Sequence, residues 1–94
     1  MNRPEKDIYG TLRWYNEKGQ LHRECEPAVE YTNGNCFWYK NNKLHREGGP
    51  AIEFTNGYKE WYINGKLHRK NGPAVECTNG YKQWYVNGEF VKAQ

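Results

Sequence analysis

Imidazole is the usual general base and metal ligand near neutral pH, so His22, His45 and His68 are the first residues to weigh for chemistry in this 94-residue chain. Each stands in a Leu-His-Arg triplet, and the triplets follow one another at intervals of 23 residues. A side chain that recurs once per interval answers a packing or turn requirement that every interval shares, and imidazoles spaced at equal steps do not converge on one reaction centre. Thiolates give a second candidate, because His22-x-x-Cys25 with Cys36 has donor types that suit zinc. The spacing does not support it: there is no C-x-x-C, Cys77 lies two intervals away, and Cys36 and Cys77 fall in strand segments, Cys77 in the register of Phe54. Cys25 as a nucleophile has no companion base beyond His22. The glycines belong to separate turns and form no G-x-x-x-x-G-K-[ST] phosphate loop. The reading that follows is a non-enzyme without metal or cofactor.

The recurrence extends well beyond the triplet. Pro27, Pro50 and Pro73 keep the same interval, as do Glu30, Glu53 and Glu76, the Asn-Gly pairs at 33, 56 and 79, and Trp38-Tyr39, Trp61-Tyr62 and Trp84-Tyr85. Such a period identifies an array of supersecondary units, each in contact with its neighbours only. The division is one β-repeat domain over 1-94, with a capping copy at about 8-26 and repeats at about 27-49, 50-72 and 73-94. The first copy retains Gly10 and Trp14-Tyr15 with one inserted residue before Leu21, and the last replaces Leu-His-Arg by Phe90-Val91-Lys92. Both ends read as caps.

Two Asn-Gly-type turns per unit, flanked by short alternating aromatic and β-branched segments, predict hairpins and leave little room for helix. The expected fold is all-β, a continuous antiparallel meander of about two strands and a short return per unit. If Asn56-Gly57 and Asn64-Gly65 are both two-residue loops, Ile52 opposes Trp61, Glu53 opposes Glu60, and Trp61 opposes His68. One face then carries Ile52, Phe54, Trp61, Ile63 and His68. The other carries Ala51, Glu53, Tyr58, Glu60, Tyr62, Leu67 and Arg69. Repetition makes rows: Trp38, Trp61 and Trp84 on the first face, and Tyr39, Tyr62 and Tyr85 with Arg46 and Arg69 on the second. Arg23, Arg46 and Arg69 are expected to form a ladder of ion pairs with Glu30, Glu53 and Glu76. In Gly49-Pro50 and Gly72-Pro73, positive φ at Gly and the missing donor of Pro are expected to close one unit and begin the next strand. Asn41-Asn42 stands where another unit has Asn64-Gly65, which Asn tolerates in a left-handed turn.

Tyr58-x-x-Trp61-Tyr62-x-Asn64-Gly65-Lys66-x-His68, with Gly72 and the closing Asn79-Gly80, resembles the MORN repeat and its bacterial variants. The resemblance covers roughly residues 10 to 90. It departs where Arg23, Arg46 or Arg69 replaces the usual Gly after His, and in the added Gly-Pro-Ala segment. It implies a hairpin repeat that serves as a scaffold or partner-binding surface, with lipid contacts proposed for some members and antitoxin-like roles for bacterial variants. The Leu-His-Arg and Gly-Pro-Ala units are also similar to bacteriophage and bacterial proteins, which implies an inhibitor of a host defence or toxin protein.

Composition bounds the rest. Only 14 of 94 residues are Leu, Ile, Val or Phe, yet four Trp and eight Tyr supply large amphipathic area, and a net charge of +3 does not force disorder. No apolar run reaches the roughly 18 residues of a membrane helix, the first residues lack a signal-peptide core, and an odd set of three cysteines fits a reducing compartment, so a cytoplasmic location is expected. The expected function is protein binding through Tyr39, Tyr62, Tyr85, Arg46 and Arg69, with Trp38, Trp61 and Trp84 on a face that the sheet's twist, a second copy or a partner must shield. The alternative is nucleic-acid or nucleotide binding by aromatic rows interleaved with Lys40, Lys59, Lys82 and the arginines, which +3 supports weakly. Membrane-surface binding has no basic amphipathic helix behind it. Function is expected where the units differ: Glu24-Cys25-Glu26-Pro27, Glu47-Gly48-Gly49-Pro50 and Lys70-Asn71-Gly72-Pro73 run from acidic through mixed to basic.

Overall fold

In the computed structural model, residues 3–94 are described and contain no helix, and hence no helix long and apolar enough to cross a membrane. The strands are short: β1 Glu5–Lys6, β2 Leu12–Arg13, β3 Val29–Glu30, β4 Cys36–Phe37, β5 Tyr39–Lys40, β6 Lys43–Leu44, β7 Ile52–Glu53, β8 Lys59–Glu60, β9 Tyr62–Ile63, β10 Lys66–Leu67, β11 Val75–Glu76, β12 Lys82–Val86 and β13 Glu89–Ala93. Nine of them form one antiparallel sheet in the order β1-β2-β3-β4-β7-β8-β11-β12-β13, while β5-β6 and β9-β10 are separate two-stranded ribbons. The fold is thus an all-β array of hairpins, with an added tier. At Trp38 and Trp61 the chain leaves the main sheet, turns through a ribbon, and returns one strand further along.

The two turns of each unit differ, and that difference sets the faces. Asn64 and Gly65 both have positive φ, 51° and 80°, so Ile63 opposes Lys66 and Tyr62 opposes Leu67 across a two-residue loop, as expected. Asn41-Asn42 and Asn87-Gly88 take the same form. The Asn56-Gly57 turn does not. Phe54 and Tyr58 flank a three-residue loop in which Gly57 N–H donates to the Phe54 carbonyl, Gly57 has φ 102°, and Asn56 Oδ1 accepts the Tyr58 N–H. Ile52 therefore opposes Glu60 and Glu53 opposes Lys59, one residue away from the expected pairing. A shift of one residue exchanges faces, so Ile52 shares its face with Glu60 and not with Trp61.

The observed register places Val29, Phe37, Ile52, Glu60, Val75 and Gln83 in one cross-strand row and Glu30, Cys36, Glu53, Lys59, Glu76 and Lys82 in the row on the opposite face. The core is thin and periodic: Ala28, Ala51 and Ala74 are fully buried, and Val29, Ile52 and Val75 nearly so. Each Ala carbonyl accepts the N–H of a Trp, from Trp14, Trp38 and Trp61 in turn, so the smallest side chain lies beside the backbone of the largest.

Successive ribbons are fastened by the histidines. Nδ1 of His22, His45 and His68 accepts the N–H of Asn41, Asn64 and Asn87 in the next unit's turn, each at 3.0 Å. Leu44 and Leu67 carbonyls accept from Gly65 and Gly88, and Arg46 and Arg69 N–H groups donate to Tyr62 and Tyr85. Val91 stands where an imidazole would fasten a further turn. There β12 continues past Trp84 without leaving the sheet, and a bulge lets Trp84 pair with Lys92 and Tyr85 with Phe90.

Candidate binding surface

The arginines join the tryptophans and not the tyrosines as expected, because after each histidine the chain leaves its ribbon and the Arg46 and Arg69 N–H groups bond to the next unit, which breaks the alternation. Arg23, Arg46 and Arg69 lay their guanidinium carbons 3.7, 3.7 and 3.8 Å from the ring centroids of Trp14, Trp38 and Trp61, and Lys92 Nζ lies 4.7 Å from Trp84. Each guanidinium also donates to the carbonyl of Pro27, Pro50 or Pro73. It pairs with Glu30, Glu53 or Glu76 at 3.3, 3.6 or 3.1 Å, which is the expected ladder. One residue per unit thus covers an indole, caps a loop and spans to the next strand. The ring stacking is worth about 0.5 to 2 kcal/mol per unit, and the half-exposed ion pair less.

This stack also explains Gly49 and Gly72. Neither has positive φ, contrary to the expectation from the Gly-Pro pair. A Cβ at either would sit 2.8 Å from the Arg46 or Arg69 guanidinium carbon, so the missing side chain makes room for the cation. In the first unit Glu26 holds that place and meets Arg23 at 3.1 Å. The left-handed position lies one residue earlier, at Gly48 with φ 86° and at Cys25 with φ 63°.

Two of the tyrosines share one carboxylate. Tyr62 donates its hydroxyl to Glu60 Oε1 at 2.7 Å, and Tyr58 donates to the second oxygen of the same carboxylate. Burial first, and then this hydrogen bond, push both phenols well above their usual range. Burial also raises Tyr39. Tyr31, Phe37, Phe54 and Tyr58 form a chain of ring contacts with centroids 5.6, 6.0 and 5.5 Å apart, and Tyr85 meets Phe90 edge-on at 5.6 Å. Tyr39, Tyr62 and Tyr85 are half-buried packing residues.

The Trp-Arg side is where the surface opens. Two grooves, of 360 and 530 Å³, lie between successive Arg-to-Pro loops. They are the same groove one unit apart: Arg23, Cys25, Trp38, Lys40 and His45 line the first, and Arg46, Gly48, Trp61, Ile63 and His68 the second. The loop Arg46-Glu47 is the wall they share. Among the predicted residues, Trp38, Tyr39 and Arg46 line the first groove and Arg46, Trp61 and Arg69 the second. Trp84 packs with Lys92 at the last strand pair, beyond both grooves.

Cys25, Cys36 and Cys77 are free thiols. Partial burial, then Glu30 and Glu53, raise the Cys36 thiol. Among the described residues no three His, Cys, Asp or Glu side chains come together around a point that could hold a metal ion. Two exposed apolar pairs lie at the ends and were not among the predicted residues. Ile8 and Tyr9, 91% and 78% exposed, form the tip of the first turn, and Phe90 and Val91 lie on β13. Their signal was positional, since Ile8-Tyr9-Gly10 occupies the register of Thr-Asn-Gly in the other units. No family model, curated protein or solved structure matches this chain.

Proposed function

We propose that this chain is a non-enzymatic protein-binding module whose partner seats along the Trp-Arg grooves. The observation that carries the reading is the repetition of one groove on a repeated frame, with its lining altered from Lys40, Cys25 and Glu47 in the first to Ile63, Gly48 and Lys70 in the second. A constant scaffold with varied lining is how arrays of neighbouring units present an extended surface to a partner. The resemblance to MORN-like repeats supports the same class of role, and through its phage and bacterial variants it favours inhibition of a defence or toxin protein as the task.

Nucleic-acid binding has less behind it. The three arginines that would meet phosphates already have a ring, a carbonyl and a carboxylate around each guanidinium. Competing for them would break the fastening of the units.

Photo-crosslinking tests the proposal. A benzophenone amino acid placed at Lys40 or Ile63 in the grooves should trap one and the same protein in the native cell. The same group at Tyr31 or Tyr81, on the aromatic side, should not. Equal trapping from both sides, or none from the grooves, rejects the groove as the binding surface.

A further inference from the structure

Comparison of the three units with one another singles out the second groove. Nδ1 of each imidazole accepts a backbone N–H from the next turn, so in the neutral ring the proton resides on Nε2 and that nitrogen is a donor. His22 Nε2 meets Glu24 Oε2 at 2.7 Å, and His45 Nε2 meets Glu47 Oε2 at 3.5 Å. In each case the carboxylate comes two residues after the histidine. In the third unit that position is Lys70. His68 Nε2 has no carboxylate within ion-pair distance among the described residues, and His68 and Lys70 both line the 530 Å³ groove.

Resting on the reading of this face as protein-binding, we propose that the second groove takes a carboxylate from the partner, the side chain of a Glu or Asp. It occupies the place that Glu24 and Glu47 fill in the other units. His68 Nε2–H supplies the hydrogen bond and the Lys70 ammonium the charge, where a glutamate would have repelled the incoming anion. Trp61 and Ile63 give an apolar floor for the methylenes behind the carboxylate. Arg69 lines the groove as well, held by Trp61, the Pro73 carbonyl and Glu76. Glu47 on the shared wall faces its own His45 and completes the charges around the groove. The first groove carries Glu47 against His45, so its equivalent place is already filled.

The test uses the intact chain and two probes, N-acetyl-glutamate methylamide and its glutamine counterpart, followed through the imidazole nitrogen resonances. Capped glutamate should shift His68 Nε2 saturably and leave His22 and His45 in place. Capped glutamine should bind at least tenfold more weakly. Lys70→Glu, an exposed substitution that restores the pattern of the other units, should move His68 Nε2 toward the His22 resonance without any probe and abolish the response to glutamate. Equal responses to the two probes, a response at His45 matching that at His68, or retention of the response in Lys70→Glu overturns the proposal. The assay needs no partner, so its failure is separate from a failure of the crosslinking experiment.

Discussion

Residue types that can do chemistry make structural contacts in this chain. An imidazole, a guanidinium and a carboxylate recur in every inner unit, and each has a named partner: the next turn, the indole beneath it, the next strand's arginine. Glu60 departs from the pattern by holding two phenols. The sign of its effect is definite. Burial and the carboxylate favour the neutral phenol in the folded protein, so this contribution to stability is complete below the ordinary tyrosine value of about 10 and is lost as pH rises through the higher folded values. An absorbance titration should show Tyr58 and Tyr62 ionising above the ordinary tyrosine range, with loss of fold accompanying their ionisation. Glu60→Gln should bring both transitions down, and an unchanged titration in that variant would mean the carboxylate has no part in it.

Among the elements, the three-residue loops decide which side chains meet. The 23-residue period, the hairpins, the two-residue turns at Asn64-Gly65 and the Arg-Glu ladder were legible in the sequence. The length of the Thr55-Asn56-Gly57 loop was not, because Asn-Gly serves equally as a two-residue turn and as the end of a three-residue one. That single residue sets Ile52 across from Glu60 in place of Trp61, while arginine meets tryptophan because the chain leaves the ribbon after His68 and bonds to the next unit. The departure of the chain from the sheet at Trp38 and Trp61 was also hidden, since alternation across Trp-Tyr reads as an unbroken strand. Deleting Thr55 leaves the two-residue loop and turns Ile52 toward Trp61. The expected outcome is loss of the cooperative unfolding transition and of near-ultraviolet circular dichroism. A variant that kept the native amide spectrum would show that the register is set elsewhere.

At the scale of the whole molecule, stability is a sum over like interfaces, because backbone bonds and histidine fasteners join each unit to the next. Excising residues 50–72 joins Gly49 to Pro73 and preserves the local sequence of every junction. The shortened chain should fold, with a circular dichroism spectrum of the same shape and a lower urea midpoint than the full chain. Complete unfolding of that variant would show that the array depends on contacts beyond nearest neighbours. The candidate site follows the same logic, since the groove recurs where the Arg23 and Arg46 loops each meet the following unit and its character is set by a few positions such as 47, 63 and 70.

Val91 has a consequence for how such a chain can lengthen over generations. A tandem gene duplication that inserts 23 codons between inner units supplies the newcomer with an imidazole on one side and a turn to receive one on the other. The same codons appended after Lys92 meet a valine and have nothing to clip onto. Growth of this lineage is therefore favoured from within, where a new copy is stable on arrival and its loop is free to diversify toward a different target.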